Sequence, residues 1–161
     1  MQACFNVESD EEKEGRLAVQ PAIQQGPCRA DIIGLLEDAS LPTSDLSDAD
    51  MKEFFYAGPA SAPVGIVGLQ FCGSDALLRS LVVSPVHRAQ GLGQQLVEHA
   101  ERHARARGVA TVYLLTTTAE HFFRSRGYVV TPRDTAPSAI RSTPEFAGLC
   151  PASSAFLSKR L

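Results

Sequence analysis

The sequence predicts one mixed α/β (α+β) domain, layered around a mostly antiparallel sheet. Between Phe54 and Val83, three β-type segments follow one another with only short turns between them. After Pro85 the hydrophobic period changes to that of a long helix, and beyond it strand and helix patterns alternate to the C-terminus. The 161 residues are 44% hydrophobic and 20% charged, enough apolar material for one core and too short a chain for two comfortable ones.

In order along the chain, residues 1–15 are polar and acidic, with Glu8, Asp10, Glu11, Glu12 and Glu14. They are expected to form a flexible leader ahead of a single domain over 16–161. Leu17 to Val19 opens a β-type run that Pro21 ends. A helix is predicted over Asp31–Ala39, carrying Ile32, Ile33, Leu35 and Leu36, with a second short helical piece near Ser47–Lys52. Phe54–Ala57 is aromatic and bounded by Gly58-Pro59. Pro63–Cys72 and Ala76–Val83 are joined by Gly73-Ser74-Asp75, short enough for a hairpin. In the long helix Leu92, Leu96, Ala100 and Ala104 recur every four residues, Val97 widens the stripe, and Glu98, Glu101 and Arg102 fall on other faces. Gly108 is its C-cap. A strand over Thr111–Thr116, a helix over Glu120–Arg126 ending at Gly127, and a strand pair near Tyr128–Thr131 and Ala155–Lys159 complete the pattern.

Composition excludes several functions. The formal net charge is -3 and no basic block occurs, so nucleic acid is not an expected partner. No apolar run reaches the length of a membrane span. Cys4, Cys28, Cys72 and Cys150 lie far apart with no C-x-x-C pair, which argues against a structural zinc site and a disulfide scaffold. The acidic N-terminus has the wrong charge for a signal peptide. A cytoplasmic protein without a metal is the expectation.

Chemistry concentrates in Leu81-Val82-Val83-Ser84-Pro85-Val86-His87-Arg88-Ala89-Gln90-Gly91-Leu92-Gly93, where a buried strand runs through a loop into the long helix. The first turn of a helix offers N–H groups without internal partners at the positive end of the dipole, and glycine lets an anion approach the backbone. This is an anion cradle fit for a pyrophosphate. No Lys-Ser or Lys-Thr pair follows the glycines, so it is not a P-loop; Leu96 stands where a dinucleotide fingerprint needs its third glycine. Two glycines alone would favour a helix cap without a ligand.

The wider pattern, R-x-x-G-x-G from Arg88 to Gly93 after L-L-R-S-L-V-V-S-P, resembles the coenzyme A motif of the GNAT N-acetyltransferase superfamily. The resemblance implies a sheet splayed between its fourth and fifth strands, with helices on both faces. It implies that Arg88, Ala89, Gln90, Gly91, Leu92 and Gly93 hold the pyrophosphate of acetyl-CoA, and that Leu81, Val82 and Val83 pair with its pantetheine arm. Ala119-Glu120-His121-Phe122-Phe123-Arg124-Ser125-Arg126-Gly127-Tyr128 is similar to the family helix A-x-x-[FL]-Y-x-x-x-G-[FY], which would set Phe123 beside the cofactor. Many members carry there a tyrosine that protonates the departing thiolate, and phenylalanine cannot donate a proton. Thr116 stands where many carry asparagine, and a clear glutamate base on the fourth strand is missing. L-L-R-S-L-V-V, Y-L-L-T-T-T-A-E, the segment from Ile140 to Pro151 and S-S-A-F-L-S-K-R-L resemble the arsenic-resistance N-acetyltransferase branch. The implied reaction is acetyl transfer to the amine of a small, anionic, amino-acid-like molecule, an arsenical included, by a monomer or homodimer.

Individual candidates keep two readings each. Arg79, the one charge in an apolar strand, either meets a carboxylate of the protein or faces a substrate anion. Thr117, in the hydroxyl row Thr116–Thr118, is a substrate contact or a strand residue by propensity. Glu120 and His121 are candidate general bases, or a dipole partner and a surface histidine. Cys150 reads as a structural thiol. Two rival functions share these residues: a non-catalytic acyl-CoA-binding module, and a peptide or protein N-acetyltransferase.

Overall fold

The computed structural model describes residues 20–161. The expected leader over 1–15 and the β-type run Leu17–Val19 lie outside these residues. The first described strand, β1 (Ile23–Gln25), comes after Pro21 and pairs antiparallel with β2 (Phe54–Ala57). The meander continues through β3 (Gly65–Cys72) and β4 (Asp75–Val83), with the hairpin turn at Gly73-Ser74. β5 (Thr111–Thr116) lies parallel to β4, and β7 (Ala155–Arg160) inserts between β5 and the two-residue β6 (Val129–Val130). The strand order is β1-β2-β3-β4-β5-β7-β6.

Among the described residues four α-helices accompany the sheet: α1 (Arg29–Asp38), α2 (Leu92–Ala106), α3 (Glu120–Arg124) and α4 (Ser138–Arg141). Strand alternation decides where they pack. Phe55 and Ala57 of β2 point to one face with Leu92, Leu96, Val97, Ala100 and Ala104 of α2, while Phe54 and Tyr56 point to the other with Ile32 and Leu36 of α1. Leu77, Phe156 and Ile140 extend that second face under α4. Both faces of the sheet are therefore covered, as the resemblance implied. One residue departs from the expected polar face of α2. Glu101 is buried, and its carboxylate accepts from Lys159 Nζ at 2.8 Å and Tyr128 Oη at 2.9 Å. Close packing also fixes Gly68 on β3. A Cβ there would stand 2.5 Å from the buried Phe54 ring, so Gly68→Ala should cost about 1–3 kcal/mol in a denaturant titration.

Two irregularities of β4 create the site. The parallel pairing with β5 runs only over Asp75–Leu77 against Thr111–Tyr113, after which the strands part. In addition, Gly68 faces Arg79 and Ile66 faces Val82, so Val67 alone spans Ser80 and Leu81. This β-bulge holds Ser80 at φ 57°, in the left-handed region, and reverses the alternation. Leu78 packs on the α2 face, and beyond the bulge Leu81 and Val83 do too, whereas Val82 joins the α1 face.

Candidate active site

Two hollows open where β4 and β5 separate. The larger, about 660 Å³, runs along Leu81, Val82 and Val83, the loop at His87, Arg88 and Ala89, and the start of α2 at Gly91, Leu92, Gly93 and Gln94. Its far wall is Phe122 and Arg126. The loop reaches this shape through Ala89 at φ 58° and Gly91 at φ 83°, the latter the N-cap of α2. No side chain caps the helix, and the first intrahelical bond is Gln95 N–H to the Gly91 carbonyl at 3.1 Å. The amides of the first turn are thus left for an external acceptor. Arg88 Nε donates to the Val83 carbonyl at 2.9 Å, which ties the loop to the end of β4.

The lining contains two arginines and no aspartate or glutamate. Neither arginine meets a carboxylate among the described residues. Arg126 lies 3.7 Å above the Phe122 ring, donates to the Phe122 carbonyl at 2.9 Å and reaches Gln94 Oε1 at 3.3 Å. An acid-free hollow with a bare helix N-terminus fits a polyanion such as a diphosphate. All the cradle residues expected from the sequence line it except Gln90, whose carbonyl accepts from Gln20 and whose side chain donates to the Val86 carbonyl, on another side of the loop.

The smaller hollow, about 190 Å³, lies inside the splay. Leu78 to Leu81 form one wall, Leu114 to Ala119 the other, and Leu149, Cys150, Pro151 and Ser154 close it. Both hollows share Leu41, Leu81, Thr118 and Ala119, so they meet at one junction. Phe123 does not reach the larger hollow. Its ring is buried against Tyr128 and Phe122 and borders the smaller one, while Phe122, one residue earlier, stands in the cradle wall. Thr117 lines the mouth of the smaller hollow.

Of the two roles weighed for Arg79, the geometry shows the ion pair. Its guanidinium donates to Asp45 at 2.5 and 2.9 Å and its Nε meets Glu145 at 2.8 Å, with the residue 6% exposed. The two carboxylates take its Nε and one N–H of each terminal nitrogen. Glu120 and His121 are also turned away from both hollows. Glu120 pairs with Arg124 at 3.5 Å across one turn of α3, and His121 is exposed, because the short helix directs Phe122 and Phe123 inward. Three residues escaped sequence reasoning here: Arg126, Phe122 and Glu145. The run Arg124-Ser125-Arg126 before Gly127 was a cationic signal that could have drawn attention to the first.

Burial pushes the Glu145 carboxyl up from 4.5 to about 7, although Arg79 pulls it back; Asp45 adds to the rise. Burial beside Glu145 likewise raises the Cys150 thiol to about 11, so it stays protonated at neutral pH. A carboxyl whose folded pKa exceeds its unfolded value binds more protons folded, so its stabilising share is full below about 4.5 and is lost as pH rises through about 7. Glu145→Gln should therefore flatten the fall in melting temperature between those pH values, measured by calorimetry across the range. An unchanged slope would remove Glu145 as its source.

A family model described as acetyltransferase (GNAT) domain matches residues 51–130. Over 136 residues the chain is 29% identical to an amino-acid acetyltransferase of Pseudomonas fluorescens (strain Pf0-1), covering 81% of this chain and 32% of that protein. The chain thus spans about a third of the length of this curated relative. The fold superposes on N-acetylglutamate synthase from Neisseria gonorrhoeae, solved with coenzyme A and N-acetyl-glutamate, with TM-score 0.73 and 23% identity over 87% of this chain and 35% of the other. It also superposes on Rv2747 from Mycobacterium tuberculosis, in complex with CoA and NLQ, with TM-score 0.70 and 18% identity over 88% and 99%.

Proposed function

We propose that the chain is an acetyltransferase of the GNAT kind and transfers the acetyl group of acetyl-CoA to the amine of an amino acid or amino-acid-like small molecule. The observation that carries this reading is the meeting of two unlike hollows at Leu41, Leu81, Thr118 and Ala119. The larger has the length, the bare helix amides and the unpaired arginines suited to a nucleotide diphosphate with a long arm. The smaller, at about 190 Å³, suits a compact acceptor rather than a nucleotide.

Acetyl-CoA, when bound, supplies the thioester. Leu92, Gly93 and Gln94 present their amides to its diphosphate, with Arg88 and Arg126 adding charge. Leu81 to Val83, which β5 no longer pairs, would offer main-chain hydrogen bonds to the arm, apart from the Val83 carbonyl that Arg88 already uses. The junction would then bring amine and thioester together in one encounter, which removes the entropic cost of a bimolecular collision.

Release of coenzyme A thiol with a panel of amino acids tests the proposal. Acceptor-dependent release with amino acids supports it. Binding of acetyl-CoA with no release above the acceptor-free rate would favour the non-catalytic module instead. An arsenical amino acid belongs in the panel, because the segment that carries the resemblance to the arsenic-resistance branch forms a wall of the smaller hollow through Leu149, Cys150 and Pro151. Peptide amines serve as the contrast.

A further inference from the structure

We infer that the acceptor enters the smaller hollow as a free amine and that no side chain there takes its proton, so that the chain selects weakly basic amines. The inference rests on the proposed function and narrows its substrate class. Among the described residues that line the smaller hollow, Arg79 and Cys150 are the ionisable ones; the others are apolar or bear hydroxyls. A guanidinium stays protonated in a protein, and a serine or threonine hydroxyl is no base near neutrality. Cys150 keeps its proton too, with its thiol raised to about 11, chiefly by burial. Asp45 and Glu145 meet Arg79, yet neither lines this hollow. The junction is formed by Leu41, Leu81, Thr118 and Ala119, and none of them ionises near neutrality. Glu120 and His121 are turned away, and His87 stands in the loop that leads into α2, its Nδ1 held 2.7 Å from Ser84 Oγ.

This lining acts on the amine in two ways. An ammonium would leave water for walls that carry a cation and no carboxylate, an unfavourable transfer that a neutral amine avoids. A free amine, in turn, needs no outside base. Its lone pair forms the N–C bond, and the C–S bond breaks with its electron pair on sulfur. The proton that nitrogen sheds ends on that thiolate, directly or through a water. The products are the amide and the thiol, and the proton count closes within the reactants. The same transfer protonates the leaving sulfur, for which Phe123 has no proton to give. Among amines of like shape, the weaker base has the larger free fraction at neutral pH and is the better acceptor.

Profiles of kcat/KM against pH test this with two acceptors, the best amino acid of the panel and its carboxamide, whose amine is the weaker base. For each, kcat/KM should rise about tenfold per pH unit below the pKa of its own amine and level off there, so that the two plateaus begin at different pH. Glu145→Gln should keep both inflections, which separates the titration of the amine from that of the carboxyl behind Arg79. One inflection common to both acceptors would reveal a protein base and overturn the inference, and its loss in Glu145→Gln would name that base. If no amino acid is acetylated, the proposed function fails. Calorimetric titration of L-alaninamide into the coenzyme A complex then decides which form of the amine the hollow takes. Affinity that climbs with pH toward the pKa of the amine sustains the inference; equal affinity across that range, or no binding, ends it.

Discussion

Replacing Arg79 by leucine is expected to lower the free energy of unfolding by about 3–5 kcal/mol, the penalty for stranding buried charges after one partner is removed. Asp45, with its side chain 11% exposed, would lose the guanidinium that its charge faces, and Glu145, 6% exposed, would lose the group that pulls its carboxyl down from an already raised value. Such a loss is a large share of the roughly 5–15 kcal/mol that holds an ordinary domain together. Arg79→Lys should fall between wild type and leucine, because an ammonium keeps the charge and loses the fork that meets Asp45 through two nitrogens. Urea titrations of the three proteins provide the measurement. If leucine left stability intact and raised the acceptor KM instead, the guanidinium would belong to the substrate after all.

Gly93→Val should weaken acetyl-CoA binding by about 2 kcal/mol, roughly thirtyfold in affinity, in a protein that still folds. A Cβ at Gly93 would make ordinary contact with the Phe122 ring at 3.4 and 3.6 Å and with Val83 at 3.7 Å. The helix therefore tolerates a side chain sterically. Branched methyls, however, fill the gap between the two walls that the diphosphate would enter, and they crowd the amide of the residue itself. Equilibrium titration with acetyl-CoA reads the effect, with circular dichroism as the check on folding. Wild-type affinity in a folded variant would remove the cradle from the mechanism.

The features legible in the sequence are those written over short distances. The four-residue recurrence of α2 buries Leu92, Leu96, Ala100 and Ala104 as expected, and the cradle needs only the local sequence Arg88 to Gly93. The hairpin of β3 and β4 follows from alternation and turn residues alone. What stayed hidden depends on distant partners. Arg79 could not reveal that Asp45 and Glu145 would converge on it from opposite sides of the chain, so both of its readings were open until the fold closed. The bulge at Ser80 is silent because L-L-R-S-L-V-V is apolar enough on either register. Phe122 and Phe123 are chemically equal, and only the pitch of a five-residue helix decides which faces the cradle. The wide turn at Glu145–Leu149 and the short α4 lack the periodicity that would have announced them.

The brief pairing of β4 with β5 has a mechanical meaning as well. Asp75–Leu77 paired with Thr111–Tyr113, together with the Ala110 amide on the Ser74 carbonyl, joins the strands β1 to β4 to the block of β5, β7 and β6 along the backbone. Along its backbone the sheet is two plates sharing one short hinge, each plate complete in its own antiparallel ladders. Opening the plates at the free end bends few hydrogen bonds and breaks none of those ladders. Arg79 opposes that motion, because it grips Glu145, from the segment leading into β7, while standing on β4 and holding Asp45 ahead of β2. The ion pair thus ties β4 to the segments ahead of β2 and β7, across the gap where the two strands part.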